Sequence, residues 1–312
     1  MKPKIDYDAL FAFTKEGPFY LGIGGIGDLF LCIAVCLEKN ITRLIFWSTT
    51  GFSHTSQKIC DDFSISHFIM GIKPSEDVCA MFAWRACFRH KNLAAAPFAP
   101  ADLKYLSWSN IRPEELAEKL VFTLPGKDIF GTIQRNESPI VCIAPRGSSD
   151  TKRIYPDEFY YLVDAYLERK WKVYVVGTDD DMKLYGERRC TWINTDFIHT
   201  PDKSYSIDAN TMLKIINSAD LVISVDTWVK TYSCLLGIPT IVFKCRTQDR
   251  ENFFHNAAGD VIFLNLDFWK TMVLVSIEEF LQWNDKPNTL QQMLVPTFRL
   301  QRPEDRPSLP HC

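Results

Sequence analysis

No stretch of the chain approaches the roughly 18 uncharged apolar residues that a membrane-spanning helix requires. The opening MKPKIDYDALF carries charges where a secretory signal needs an apolar core. The expectation is a soluble, cytoplasmic protein. Net charge is scarce too. With 35 basic and 38 acidic residues the formal balance is −3, which gives no global electrostatic footprint for nucleic acid, although a local basic groove stays open. Ten cysteines are present, yet none forms a C-x-x-C pair or stands with histidine at zinc-ligand spacing. Cys32, Cys36, Cys142 and Cys234 lie in apolar runs and read as reduced, buried thiols. His54, His67, His90, His199 and His255 each lack a nucleophile or ligand partner at a recognisable spacing, so neither a metal site nor histidine-based catalysis is expected. Internal repeats and low-complexity tracts are absent, as is the phosphate-loop pattern G-x-x-x-x-G-K-[ST].

What is present is the patterning of an ordinary globular protein, 46% hydrophobic and 23% charged. A length of 312 residues suggests two domains of roughly 150 residues each. Strand and helix patterns alternate throughout, which predicts an α/β protein with parallel sheets. In the first half the spacing predicts strands near 18–23, 43–48 and 65–70 and helices near 27–39, 52–62 and 76–89. Segment 91–112 has no clean period and reads as an insertion or an acceptor-side loop. Proline, glycine and polar residues over 124–139 mark a break. Beyond it a strand at 140–144 leads to a helix after Pro156, a strand at 172–176, a short strand near Trp192, a helix around 212–219, a strand at 221–225, a further helix and a strand at 240–243. The reading is two doubly wound, Rossmann-like halves facing a central cleft, with domains at 1–130 and 131–284 and a proline-rich tail at 285–312.

Gly22-Ile23-Gly24-Gly25-Ile26-Gly27 matches the dinucleotide fingerprint G-x-G-x-x-G. The fingerprint also needs an acidic residue at the end of the next strand to hold the ribose hydroxyls, and Arg43–Trp47 runs instead into Ser48-Thr49-Thr50. A nicotinamide site is therefore not expected. The carboxylate that does appear is Asp28, at the start of the helix behind Gly24, Gly25 and Gly27. There it either complements the helix dipole or serves a ligand brought close to bare backbone.

Two further segments stand at strand ends. APRGSSDTKRIYP gathers Arg146, Lys152 and Arg153 with Ser148, Ser149 and Thr151, a set of cations and hydroxyls suited to a diphosphate. SVDTWVKTYSCLLGIP places Asp226 and Thr227 at a helix start, where free amides can hold phosphate or where either side chain can simply cap. Asp179-Asp180-Asp181 opens another helix and answers its dipole more readily than it would hold Mg²⁺.

Taken together, GGIGDLFLCIAVCLE, VCIAPRGSSDTKRIYPDEFYYLVDAYLERKWKVYVVG and SADLVISVDTWVKTYSCLLGIPTIVF resemble the bacterial heptosyltransferase family, glycosyltransferase family nine. The resemblance implies the GT-B fold and an inverting, metal-independent transfer from a nucleotide-diphosphate sugar, ADP-heptose or a UDP-sugar, with no cofactor. It implies Asp28 as general base on the acceptor, Lys152 on the donor phosphates, Asp226 and Thr227 at the diphosphate and sugar, and Asp179 near the donor nucleoside. Where the family has a glycine and, three residues on, a histidine after the Asp-Thr pair, this chain has Trp228 and Thr231. Trp228 is expected to fill space beside the donor. The alternatives are an epimerase on the same fold or a non-catalytic binding subunit. The acceptor is open among lipopolysaccharide, protein, a small molecule and a hydroxylated DNA base.

Overall fold

The computed structural model describes residues 5–48, 53–71, 78–95, 100–102, 107–108, 124–134, 137–147, 152–186, 195–200, 209–244 and 261–265. The tail expected at 285–312 lies outside them. Two parallel sheets are present within the compact unit Met1–Leu266.

The first sheet has the order β3-β2-β1-β4, from Phe19–Gly24 (β1), Arg43–Ser48 (β2), Ser66–Met70 (β3) and Leu93–Ala95 (β4). β1 is buried along its whole length, as a central parallel strand covered on both faces must be. Part of segment 91–112 is thus neither insertion nor free loop, because Leu93–Ala95 pairs with β1. Around this sheet run helices α1 (Tyr7–Lys15), α2 (Ile26–Glu38), α3 (Ser53–Asp62) and α4 (Val78–Phe88). Pro100–Asp102 (β5) and Ser107–Trp108 (β6) pair antiparallel beside it in sequence.

A short helix, α5 (Gly126–Phe130), precedes the second sheet. Its order is β12-β11-β10-β7-β8-β9, from Ile140–Ala144 (β7), Lys172–Thr178 (β8), Thr195–Thr200 (β9), Leu221–Ser224 (β10), Thr240–Lys244 (β11) and Val261–Asn265 (β12). The helices here are α6 (Pro156–Glu168), α7 (Asp179–Tyr185), α8 (Ala209–Ser218) and α9 (Trp228–Leu235). Trp192, near which a short strand is expected, lies outside the described residues, and the next described strand is β9. Strand order reverses between β7 and β10, whose carboxyl ends lie side by side with Ala144 opposite Ser224. At such a switch point the loops part and leave a crevice.

α2 departs from the amphipathic pattern of a surface helix, since Leu29 through Cys36 are all buried. It packs on β1 and β2 on one side and on α9 on the other. Phe30 makes the second contact, with ring centroids 4.6 Å from Tyr232 and 6.3 Å from Trp228. One apolar cluster consequently joins Tyr20 and Phe46 of the first sheet to Cys142 and Val222 of the second. Asn217 bolts the same region: its amide donates to the Gly126 and Gly131 carbonyls, and its oxygen accepts from Tyr232 at 2.9 Å. Each such buried bond contributes about 0.5–1.5 kcal/mol net and would cost more if one partner were left unmade.

Candidate active site

β1 delivers the chain to Gly24 at φ +142°, a conformation that glycine tolerates, and a Cβ there would overlap the Asp28 carboxylate. Asp28 then folds back into the first turn of α2, where its Oδ2 accepts the Gly25 amide at 2.8 Å. Burial pushes its pKa up. The Gly25 hydrogen bond and the charge of Lys230 pull against that, and Asp226 adds to it. Gly27 lies on the face of α2 that meets α9, where an added Cβ would stand 3.2 Å from both Thr231 Oγ1 and Trp228 Cα. That close approach brings the Asp28 turn to the start of α9.

In the second sheet, β7 ends at Ala144 and the chain leaves as a loop whose two arms pair. Gly147 N donates to Lys152 O at 2.6 Å, Ile154 N donates to Pro145 O at 2.8 Å, and Arg146 and Arg153 form an antiparallel bridge. A Cβ on Gly147 would stand 3.2 Å from the Asp226 carbonyl, so this loop is pressed against the one leaving β10. Across the contact Lys152 Nζ donates to Asp226 Oδ2 at 2.7 Å, and Lys230 Nζ donates to Asp226 Oδ1 at 2.6 Å. Burial acts to raise the Asp226 pKa, but the two lysines outweigh it and hold the carboxyl below its ordinary value. Thr227 caps α9 by accepting the Val229 amide at 3.1 Å, with Ser224 Oγ 3.0 Å from its hydroxyl.

The structure thus brings together Asp28, Gly24, Gly25 and Gly27 from the first sheet with Lys152, Asp226, Thr227 and Trp228 from the second. Arg146 pairs with Asp181, at 3.3 Å. Asp181 in turn closes the capping box of α7, accepting the Thr178 amide at 2.8 Å. Arg153 stacks over the exposed ring of Tyr155, 5.3 Å from its centroid. Asp179 opens α7, but its side chain, like Ser148, Ser149 and Thr151, lies outside the described residues. Trp228, expected to fill space beside a donor, stacks on Phe30 between α2 and α9. Thr231 is 7% exposed and sits against Gly27, which leaves little room for a larger side chain. Lys230 was missed at the sequence level. The signal was available, as a lone lysine inside the apolar run WVKTYSCLL, four residues after Asp226. Among the described residues no three His, Cys, Asp or Glu side chains cluster as metal ligands.

Two doubly wound parallel sheets whose strand-end loops converge in this way define a GT-B fold. Among solved structures the chain is similar to E. coli heptosyltransferase WaaC with ADP-2-deoxy-2-fluoro heptose, at 11% identity and TM-score 0.56, covering 85% of this chain and 99% of that one. WaaC with ADP matches at TM-score 0.54 with the same identity and coverage. A glycosyl transferase family 9 structure from Veillonella parvula DSM 2008 matches at 11% identity and TM-score 0.50, over 88% of this chain and 92% of that one. No protein-family model matches the sequence. No curated protein matches it either.

Proposed function

We propose that the chain is an inverting, metal-independent glycosyltransferase that moves a sugar from a nucleotide-diphosphate sugar, either ADP-heptose or a UDP-sugar, to an acceptor hydroxyl. The observation that supports this best is the meeting of Asp28, at the start of one sheet's first helix, with the Lys152–Asp226 pair and Thr227 at the other sheet's switch point. The fold is shared with a heptosyltransferase whose solved structure contains ADP.

In this reading the diphosphate lies against Lys152 and the amides that open α9, where backbone N–H groups and the helix dipole favour negative charge. The acceptor hydroxyl approaches Asp28, which must come within about 2.6–3.2 Å of it to take its proton. As that proton moves to Asp28, the acceptor oxygen bonds to the anomeric carbon from the face opposite the diphosphate. The bond from carbon to phosphate oxygen breaks, and its electron pair leaves with the nucleoside diphosphate, stabilised by Lys152. Burial suits Asp28 to the task, because a carboxyl whose pKa is raised is a stronger base. Trp228, fixed by Phe30, narrows the sugar end and makes the donor sugar or its pose differ from that of the enzymes it resembles.

The test is the Asp28→Asn variant, with donor binding measured by calorimetry and transfer measured with ADP-heptose and UDP-sugars against a panel of acceptors. Asparagine caps about as well as aspartate, so donor affinity should persist while transfer falls by about 10²-fold or more. Retained binding with transfer near the wild-type rate would make Asp28 a cap only. Conversion of the donor sugar without any acceptor would mark an epimerase, and donor binding without turnover a binding subunit.

A further inference from the structure

Asp226 divides its carboxylate between two lysines of unlike exposure. The Lys152 side chain retains 29% of its accessible surface and belongs to the loop after β7, whereas Lys230 retains 3% and is fixed in the first turn of α9. At that exposure Lys230 cannot extend to a ligand in solvent. A cation in the first turn also opposes the dipole of its own helix, a cost that the hydrogen-bonded Asp226 carboxylate offsets, with the Asp28 charge nearby acting in the same direction. Asp226, for its part, poses two difficulties at a phosphate site. Its charge repels an incoming anion, and it occupies the ammonium that the anion needs. A second ammonium, buried behind the carboxylate, answers both difficulties.

We propose that Lys230 is a positioning residue that neutralises Asp226 from the protein side, so that Lys152 can leave the carboxylate for the diphosphate of an arriving nucleotide. Asp226 is then the resting partner that keeps Lys152 aimed at the crevice, and the Asp226–Lys230 pair is the fixed half of the device. This rests on the donor-site reading above and adds to it a residue without a place in that mechanism. The charges are consistent with it. Lys152, Lys230 and Asp226 together carry one positive charge in the resting state, and the exchange brings that charge to the diphosphate without exposing an unpaired carboxylate, which would be costly in a buried site.

The experiment compares the full chain, Lys230→Met and the double variant Lys230→Met/Asp226→Asn by two readouts. One is the rate of Lys152 modification by acetic anhydride, followed by peptide mass spectrometry without any nucleotide. The other is the affinity for ADP and UDP by calorimetry. In Lys230→Met the carboxylate draws more heavily on Lys152, so Lys152 labelling should slow and nucleotide affinity should drop about tenfold. In the double variant the carboxylate is gone, and both should return toward wild type, a recovery that a merely structural role for Lys230 would not produce. Equal labelling of Lys152 in all three proteins, or equal loss of affinity in the single and double variants, would overturn the proposal. If Lys230→Met fails to fold, the comparison of wild type with the double variant decides. Nucleotide affinity within a few-fold supports the exchange, and a loss beyond about tenfold overturns it. A wild-type chain that binds neither nucleotide would sink the donor reading and the exchange with it, whereas nucleotide binding retained beside equal labelling would overturn the exchange alone.

Discussion

Two aspartates face each other across the α2–α9 contact with opposite electrostatic consequences. Asp28 is held above its ordinary pKa, chiefly by burial, so the folded state binds its proton more tightly than the unfolded chain does. Stability from that source is fully present below the unfolded value of about 3.9 and is lost as pH rises through the raised folded value. Asp226 is held low by its lysines and acts in reverse, giving stability above about 3.9 that disappears as pH falls through its depressed value. The two windows separate, which makes a clean comparison available. Asparagine at position 28 cannot ionise, yet it can accept the Gly25 amide as the carboxylate does. Urea midpoints of wild type and Asp28→Asn, taken between about pH 4.5 and pH 7.5, should therefore shift in favour of the variant as pH rises. A gap that stays constant over that range would mean that Asp28 titrates like an exposed carboxyl. At this scale the sequence made Asp28, Lys152, Asp226 and Thr227 legible, because each stands at a strand end or helix start with a chemical type suited to phosphate or proton. Lys230 was obscure for a physical reason. It is buried in an apolar helix, and its meaning depends on a partner one turn earlier.

α2 shows how an element can be legible in position and misleading in its faces. The spacing of Leu29, Ile33 and Cys36 marks one buried stripe, but the helix is buried all round because α9 covers the side that solvent would otherwise take. Strand positions were recoverable from apolar runs. Helix ends were less so, because three of the helix-to-strand connections turn through left-handed residues that are not glycine: Asn40, Ser64 and Lys170, at φ 54°, 56° and 63°. Each is followed by an amide that reaches back into the helix, Ile41 to Cys36, Ile65 to Cys60 and Trp171 to Tyr166, at 2.8–3.0 Å. This is the capping pattern in which glycine is usually found, and among the described residues Gly237 supplies it at one further turn, with Ile238 reaching back to Ser233. β4 was invisible for a different reason. Three residues carry no period, and pairing with β1 is what makes them a strand. Gly27 is where sequence and packing meet. A valine there would force α2 and α9 apart at Thr231 and the Trp228 backbone, an overpacking that costs typically 1–3 kcal/mol. Gly27→Val should lower the unfolding free energy by that amount, read as a lower urea midpoint at unchanged m, and, in the proposed reading, weaken sugar transfer by more than stability alone explains, since Asp28 would move away from the start of α9. Unchanged stability would show that the helices yield freely at this point.

At the scale of the whole molecule, the topology decides which ligands the crevice can take. Both sheets are parallel and doubly wound, and the reversal between β7 and β10 opens the second beside Lys152, Asp226 and the first amides of α9. The first sheet carries the G-x-G-x-x-G turn, but β2 ends in the buried Ser48, where a nicotinamide site would place its ribose-binding acid. The glycines of that turn have other employment, Gly24 clearing the Asp28 carboxylate and Gly27 admitting α9. A dinucleotide therefore has no stronger claim on the proposed donor site than its diphosphate gives it, whereas in that reading a nucleoside diphosphate would meet Lys152 with a free terminal phosphate. Because a ligand raises the melting temperature only by binding the folded state, ADP, UDP or GDP at about 100 times its dissociation constant should add about 2.7 kcal/mol of stability. NAD at the same concentration should add far less. The measurement is a thermal melt of the full chain in each nucleotide without divalent cation, repeated in EDTA. A shift with at least one nucleoside diphosphate that survives EDTA is the expected result. A shift with NAD and none with the three diphosphates would mean that the glycine turn binds a dinucleotide despite the missing acid, and a shift that EDTA abolishes would mean that a divalent cation, rather than Lys152, carries the phosphate charge.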